Sequence, residues 1–251
     1  MFKVNTEFEK LALSHYGYDG GNLNAPLWVS GIEWGGGVNI SELVSDIKKG
    51  PVLVPRTVES SLDRNKYLNY VFDRIWLKVL SKSLGCEVSD YKKMINDDVG
   101  ALSSSGPVMK LNLYPISFKD TSYENWSRDF YEVTGFPTKE LYMAWVQSHR
   151  FNFFNELVSE YKPDAILCSG VTFRRDFLLA FGGVESLFST PVEKVKLSEK
   201  KELYIYQSSI SPTTKIYVVP FFGSIHGTKK DSECEIIGEL LQKKLVSRNA
   251  A

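Results

Sequence analysis

Apolar residues fall along this chain in two alternating rhythms. Four short runs are apolar almost without interruption: "PLWVSGI" at 26–32, "VMKLNLYPI" at 108–116, "DAILCSG" at 164–170 and "KIYVVPFFG" at 215–223. Runs of that length, rich in β-branched and aromatic residues, predict strands buried on both faces. A fifth run, "ELYIYQSSI" at 202–210, predicts a strand in a hairpin with its successor, with "SPTT" as the turn. Between the strands the period lengthens. Leu68, Val71, Phe72, Ile75 and Val79 recur at helical spacing. So do Leu141, Trp145, Phe153 and Leu157, on a helix over 138–161 that ends at "YKPD". "TFRRDFLLAFGG" predicts a helix from Thr172 stopped at Gly182. A last helix is expected from about Ser232 to Val246, with Ile236, Leu240, Leu241 and Leu245 inward. "SSSGP" at 103–107 and the charged "EKVKLSEKKE" at 193–202 are expected as solvated loops.

Strands alternating with helices imply parallel pairing. The expected fold is therefore α/β: one domain over 1–251, three-layer α/β/α, with a central, mainly parallel sheet of four or more strands. Ligands of such sheets collect beyond the carboxyl ends of the strands. That rule makes candidates of four tails: "GIEWGGG", "YPISF", "GVTF" and "GSIHG". The first carries an acid, Glu33, beside Trp34 and the glycines Gly35–Gly37, and the last a histidine, His226. The second strand also holds a polar residue, Asn112, inside its apolar run.

Composition narrows the function classes. The 251 residues are 43% apolar, enough for one sizeable core. Thirty basic residues balance thirty acidic ones, so there is no charge surplus to drive non-specific nucleic-acid binding, and such a claim rests on a site. Cys86, Cys168 and Cys234 show no CxxC spacing, which excludes a four-cysteine cluster; Cys168, in "AILCSG", reads as a packing residue. No metal is expected. The start, "MFKVNTEFEKLALSHYG", has charges throughout and no signal-peptide core, and no run approaches the length of a membrane span. A cytoplasmic protein with no membrane partner is the expectation.

The order of these parts resembles the uracil-DNA glycosylase superfamily. "GIEWGG" corresponds to its first loop, "KLNLYPI" to its asparagine strand, "AILCSGVTFRRDFLLAFG" to its third unit and "VVPFFGSIHG" to its last loop, over about residues 25 to 246. The resemblance implies a DNA-repair hydrolase that flips a base out of DNA and cuts its N-glycosidic bond without a cofactor. It makes Glu33 the residue that positions water, Asn112 the reader of the base and His226 the stabiliser of the leaving base. Gly31, Ile32, Trp34, Gly35 and Ser224 would line the pocket, and Lys229 and Lys230 would hold DNA phosphates. Three positions depart from the pattern: Trp34 stands where proline is usual, and Gly227 and Thr228 where proline and serine are common. The missing cysteines exclude the iron–sulfur branch.

The chemistry is self-consistent. Cleavage builds positive charge on the sugar and negative charge on the base, so a carboxylate and a histidine donor suit the two ends. Asn112 offers both a donor and an acceptor to a pyrimidine edge. Trp34, Tyr114 and Phe118 are the candidates to stack on an extruded base. Each residue also has a plainer role open to it: Glu33 as a capping carboxylate, Asn112 as a partner of loop backbone, Arg174 and Arg175 as a solvated face. His149 shares a helical row with Trp145 and Phe153 and reads as structural. Nothing apolar follows His226 in "GTKKD" to serve as a wedge into a duplex. A non-catalytic binder of nucleic acid or nucleotides and an enzyme acting on free nucleotides remain as alternatives.

Overall fold

A computed structural model describes residues 2–33, 35–59, 66–96 and 99–246. In chain order the strands are β1 (Gly20–Gly21), β2 (Leu27–Gly31), β3 (Val108–Asn112), β4 (Ala165–Ser169), β5 (Glu193–Ser198), β6 (Lys201–Gln207) and β7 (Lys215–Val219). The longer helices are α1 (Thr6–Ala12), α2 (Ile40–Lys49), α3 (Val71–Ser83), α4 (Tyr91–Ile95), α5 (Arg128–Thr134), α6 (Lys139–Tyr161), α7 (Arg174–Gly182) and α8 (Asp231–Val246). The protein is mixed α/β, built on one seven-stranded sheet in the order β1–β3–β2–β4–β7–β6–β5.

The centre of that sheet is parallel: β3, β2, β4 and β7 run in one direction. The edges are antiparallel, with β1 against β3 and the β5–β6–β7 meander on the other side. "Mainly parallel" therefore holds only for the middle. The expected hairpin between 202–210 and its successor forms, as β6 and β7.

Strands β2, β3 and β4 are buried along their whole length because both faces are covered. Alternate residues enter separate clusters, as the two-residue strand period requires. Trp28, Met109, Leu111, Ile166, Cys168 and Val218 pack with Phe8, Tyr142, Phe151, Phe154 and Phe177. Leu27, Val29, Val108, Leu167, Tyr217 and Val219 pack instead with Ile75, Trp76, Val79, Leu80, Ile237 and Leu241. Cys168 is a packing residue of the first cluster.

Four expectations need correction. Residues 193–202 are not a solvated loop: Glu193–Ser198 forms β5, with only Leu197 buried. The strand lies at the sheet's edge, where charged side chains guard against pairing with another chain, so its polarity imitates a loop. Helix α7 runs through Gly182 and stops at Gly183, which has φ of +77°. Helix α6 matches its expected span, but its inward row is Tyr142, Val146, Arg150, Phe154 and Leu157, leaving Leu141 exposed. The aromatic residues around the whole circumference of α6 mask its buried face. In α8 the row is likewise offset: Cys234, Ile237 and Leu241 are buried, and Ile236, Leu240 and Leu245 are half-buried. Among the described residues no helix is long and apolar enough to cross a membrane.

Candidate functional site

Strand β2 has β3 on one side and β4 on the other, so the chain reverses its direction of travel across the sheet at β2. The crevice outside the carboxyl ends of β2 and β4 is where such a sheet takes a ligand. Beyond Gly31 the chain stays bonded to the continuation of β3, since Leu113 N–H donates to Gly31 O (3.2 Å) and Tyr114 N–H to Ile32 O (2.9 Å). This extension carries Glu33 toward the start of α6. The Glu33 side chain is only 8% exposed, and Lys139 Nζ lies 3.6 Å from its Oε1.

Lys139 is itself held on several sides. Its ammonium sits 3.9 Å from the centroid of the Phe118 ring, 3.3 Å from Ser122 O and 3.5 Å from Asp120 O. At 3.6 Å the ion pair with Glu33 is too long for a hydrogen bond. Glu33 Oε1 is buried and accepts no hydrogen bond from any described residue. Burial pushes the carboxyl up to about 7, against the pull of Lys139, with Asp120 adding to the rise. Burial pushes the Lys139 amine down, and Glu33 opposes that fall.

On the other side of the strand tip, Asn112 ends β3 in a buried polar network. Its Nδ2 donates to Gly17 O (3.2 Å) and to Asp19 Oδ2 (3.3 Å). Asp19 in turn is 3.0 Å from Lys110 Nζ, and Lys110 is 2.6 Å from Asp73 Oδ1. Trp76 Nε1 also donates to Asp73, at 2.6 Å. Because both acceptors face Nδ2, the amide orientation is fixed by chemistry, with Oδ1 turned toward Gly31. Two residues apart on one strand, Lys110 and Asn112 point to the same face.

His226 lies on the loop after β7, and it is exposed. The loop closes on itself: Gly223 N–H donates to Thr228 O (3.0 Å), Thr228 N–H to Phe221 O (3.1 Å) and Gly227 N–H to Ser224 O (3.1 Å). Gly227 is obligatory there, since a Cβ would lie 1.7 Å from Phe221 O. Ile225, beside His226, is 80% exposed. An apolar tip is thus present, before the histidine rather than after it. The base of the loop reaches the strand tips, because Phe221 and Ile32 both approach Gly170 beyond β4. Lys229 and Lys230 are exposed at the entry to α8, their backbone N–H groups donating to Glu233 (2.9 and 3.2 Å).

No protein-family model, no curated protein and no solved structure matches this chain.

The strand tips thus gather Gly31, Ile32, Glu33 and Asn112, with the His226 loop alongside. Gly35 is exposed, with no neighbour within 4 Å of where its Cβ would be, and Ser224 is half-buried. Trp34 lies outside the described residues. The other two proposed stackers are core residues: Tyr114 (2% exposed) bonds Asp176 through its hydroxyl, and Phe118 (3%) packs on Trp126 and Phe130. Exposed rings lie instead at Tyr70 and Phe221, and Phe72 is in ring contact with Phe221 at 5.9 Å. His149 is exposed and stacked on Trp145 at 4.7 Å. Among the described residues no three His, Cys, Asp or Glu side chains gather to hold a metal ion.

Sequence reasoning missed Lys139, Asp19, Lys110 and Asp73. Lys110 was visible as a charge inside the run "VMKLNL", a place where lysine is seldom buried without a partner. Lys139 gave no such signal, because a lysine at a helix start reads as surface. An open groove of about 380 Å³ lies nearby between α2 and the loops, lined by Tyr16, Gly37, Glu42, Asp46 and Ser117.

Proposed function

We propose that this chain is a DNA glycosylase-like hydrolase of a three-layer α/β/α frame that cuts the N-glycosidic bond of uracil or a related modified base. The observation that carries the reading is Glu33 Oε1. It is a buried carboxylate oxygen with no hydrogen-bond donor among the described residues, at the end of β2, where the sheet's direction of travel reverses. Such an oxygen calls for a donor beyond the described residues, and a water held for attack on the sugar supplies one. A carboxyl pushed up to about 7 divides between its two forms at neutral pH, as a base in water attack requires. The carboxylate also opposes the positive charge that builds on the sugar as the bond breaks.

In this reading His226 comes to the departing base when the loop meets DNA, donating a hydrogen bond to the developing anion. Asn112 has its Nδ2 engaged by Gly17 and Asp19, so it offers the base an acceptor, Oδ1, suited to a ring N–H. Exposed Ile225 supplies an apolar tip against a base step, and Lys229 and Lys230 supply phosphate contacts. A cytoplasmic site of action goes with this substrate.

One observation favours a second reading, a non-catalytic binder of nucleic acid. The rim residues Tyr70, Phe221 and Ile225 are exposed and apolar beside two lysines, a combination that suits unpaired strands without chemistry. Base release decides between the two. Uracil-containing single- and double-stranded oligonucleotides are incubated at low salt with wild type and Glu33→Gln, and abasic sites are revealed by alkaline cleavage. Strand breaks that vanish in the variant support the glycosylase. No release from uracil or from a panel of modified bases, with salt-dependent binding retained, leaves the binder.

A further inference from the structure

Lys139 occupies a position that its local structure disfavours twice. It is the first residue of α6, capped by Thr138, whose Oγ1 accepts from Leu141 N–H. The amino end of a 23-residue helix carries partial positive charge, which repels a cation. The side chain is also 2% exposed, so the ammonium has lost its water. A residue at a helix start normally projects freely into solvent; this one turns inward, over the Phe118 ring, to reach Glu33. Nothing in helix formation calls for that arrangement, and local conflicts of this kind collect at functional sites.

We infer that Lys139 is a positioning residue for Glu33, holding its carboxylate ionised and aimed so that Oε1, which has no donor among the described residues, can take one. The inference rests on the glycosylase reading for its meaning, though not for its test. Phe118, Asp120 O and Ser122 O fix Nζ at one side of Oε1 without replacing the missing hydrogen bond. An ion pair at 3.6 Å attracts the carboxylate yet leaves its lone pairs unspent. Among the described residues the charged groups around the carboxyl are few. Lys139 on α6 favours its ionised form, Asp120 on the loop after β3 opposes it, and the Tyr142 phenol of α6 also feels its charge.

The experiment is a carboxyl-carbon NMR titration of Glu33 in wild type, Lys139→Met and Lys139→Arg, run beside the pH profile of base release. In Lys139→Met the Glu33 midpoint rises by about one pH unit or more, because burial then acts without its counter-charge. The acid limb of the rate profile rises with it, and Lys139→Arg restores both. An unchanged Glu33 midpoint in Lys139→Met overturns the inference. Should that variant not fold, Glu33→Gln reads the same coupling in reverse, since the Lys139 amine midpoint then falls; a fixed midpoint overturns the inference equally. If wild type releases no base at any pH, the glycosylase reading fails, while the two titrations still decide the role of Lys139.

Discussion

Gly31 has no room for a side chain because Asn112 stands in its place: a Cβ there would lie 2.5 Å from Asn112 Oδ1 and 3.6 Å from the Phe72 ring. The glycine's φ is ordinary, so the constraint is one of contact rather than backbone conformation. Asn112 cannot swing aside cheaply, since Gly17 O and Asp19 hold its amide. Gly31→Ala should therefore cost about 1–3 kcal/mol, the range for overpacking a filled site. Urea denaturation measures it. A variant as stable as wild type would mean that Asn112 is not held as described.

The network behind Asn112 has an excess of acid. Lys110 is 5% exposed and serves both Asp19 and Asp73. Lys110→Met leaves two carboxylates near one another without a cation and should cost about 3–5 kcal/mol at neutral pH. Asp73, already raised by burial with Lys110 opposing, should rise further in that variant. A group raised on folding gives up stability as pH climbs through its folded value, so the deficit grows from acid to neutral pH. Adding Asp73→Asn to Lys110→Met should recover part of the loss. Denaturation curves at several pH values test this, and a deficit independent of pH would argue that lost packing is the cause.

Glu33 predicts a slope. Its carboxyl is raised from 4.5 to about 7 in the folded protein. The proton it keeps on folding stabilises the native state below the unfolded value, and that benefit fades as pH rises through about 7. Between those two values wild type should lose about 1.4 kcal/mol per pH unit from this group alone. Glu33→Gln has no such proton to lose, so its stability should fall less steeply over the same window. Parallel curves for the two proteins would show that Glu33 titrates as an exposed acid does.

Much of the frame could be read from the chain, because buried strands and long helices announce themselves by length and period. The four apolar runs became β2, β3, β4 and β7, each shorter than its run. The runs continue into loops that the core also buries, such as Leu113 to Ile116 after β3. Strand β5 escaped because an edge strand needs no apolar face. At the site, Glu33 and Asn112 were legible as polar residues at the ends of apolar strands. Their partners were not. Lys139 lies more than a hundred residues from Glu33 in the chain and Asp19 more than ninety from Asn112, and only the folded sheet unites each pair. Tyr114 and Phe118, two of the candidate stackers, prove to be buried for a related reason, since an aromatic after a strand can turn into the core as readily as toward the crevice.

Arg150 is fully buried with no carboxylate beside it among the described residues, and it spends its donors on backbone. The guanidinium donates to Leu113 O (3.1 Å), Ser14 O (3.0 Å), Tyr16 O (2.6 Å) and Ala12 O. The rings of Tyr18 and Phe154 lie 5.6 and 5.0 Å away. One side chain on α6 thereby fixes residues 12–16 against β3, and the next residues, Gly17 and Asp19, are the two that hold Asn112. Arg150→Met should strand those carbonyls and cost about 3 kcal/mol or more. Its distinguishing mark is where the loss falls. Hydrogen exchange should accelerate first at the amides of Tyr16 and Tyr18, which bond Ser14 Oγ and His15 O, while the amides of β2 and β4 stay protected. Binding of a uracil-containing oligonucleotide should weaken in step, through Asn112. Uniform loss of protection across the sheet would instead make Arg150 a general support of the fold with no special tie to the site.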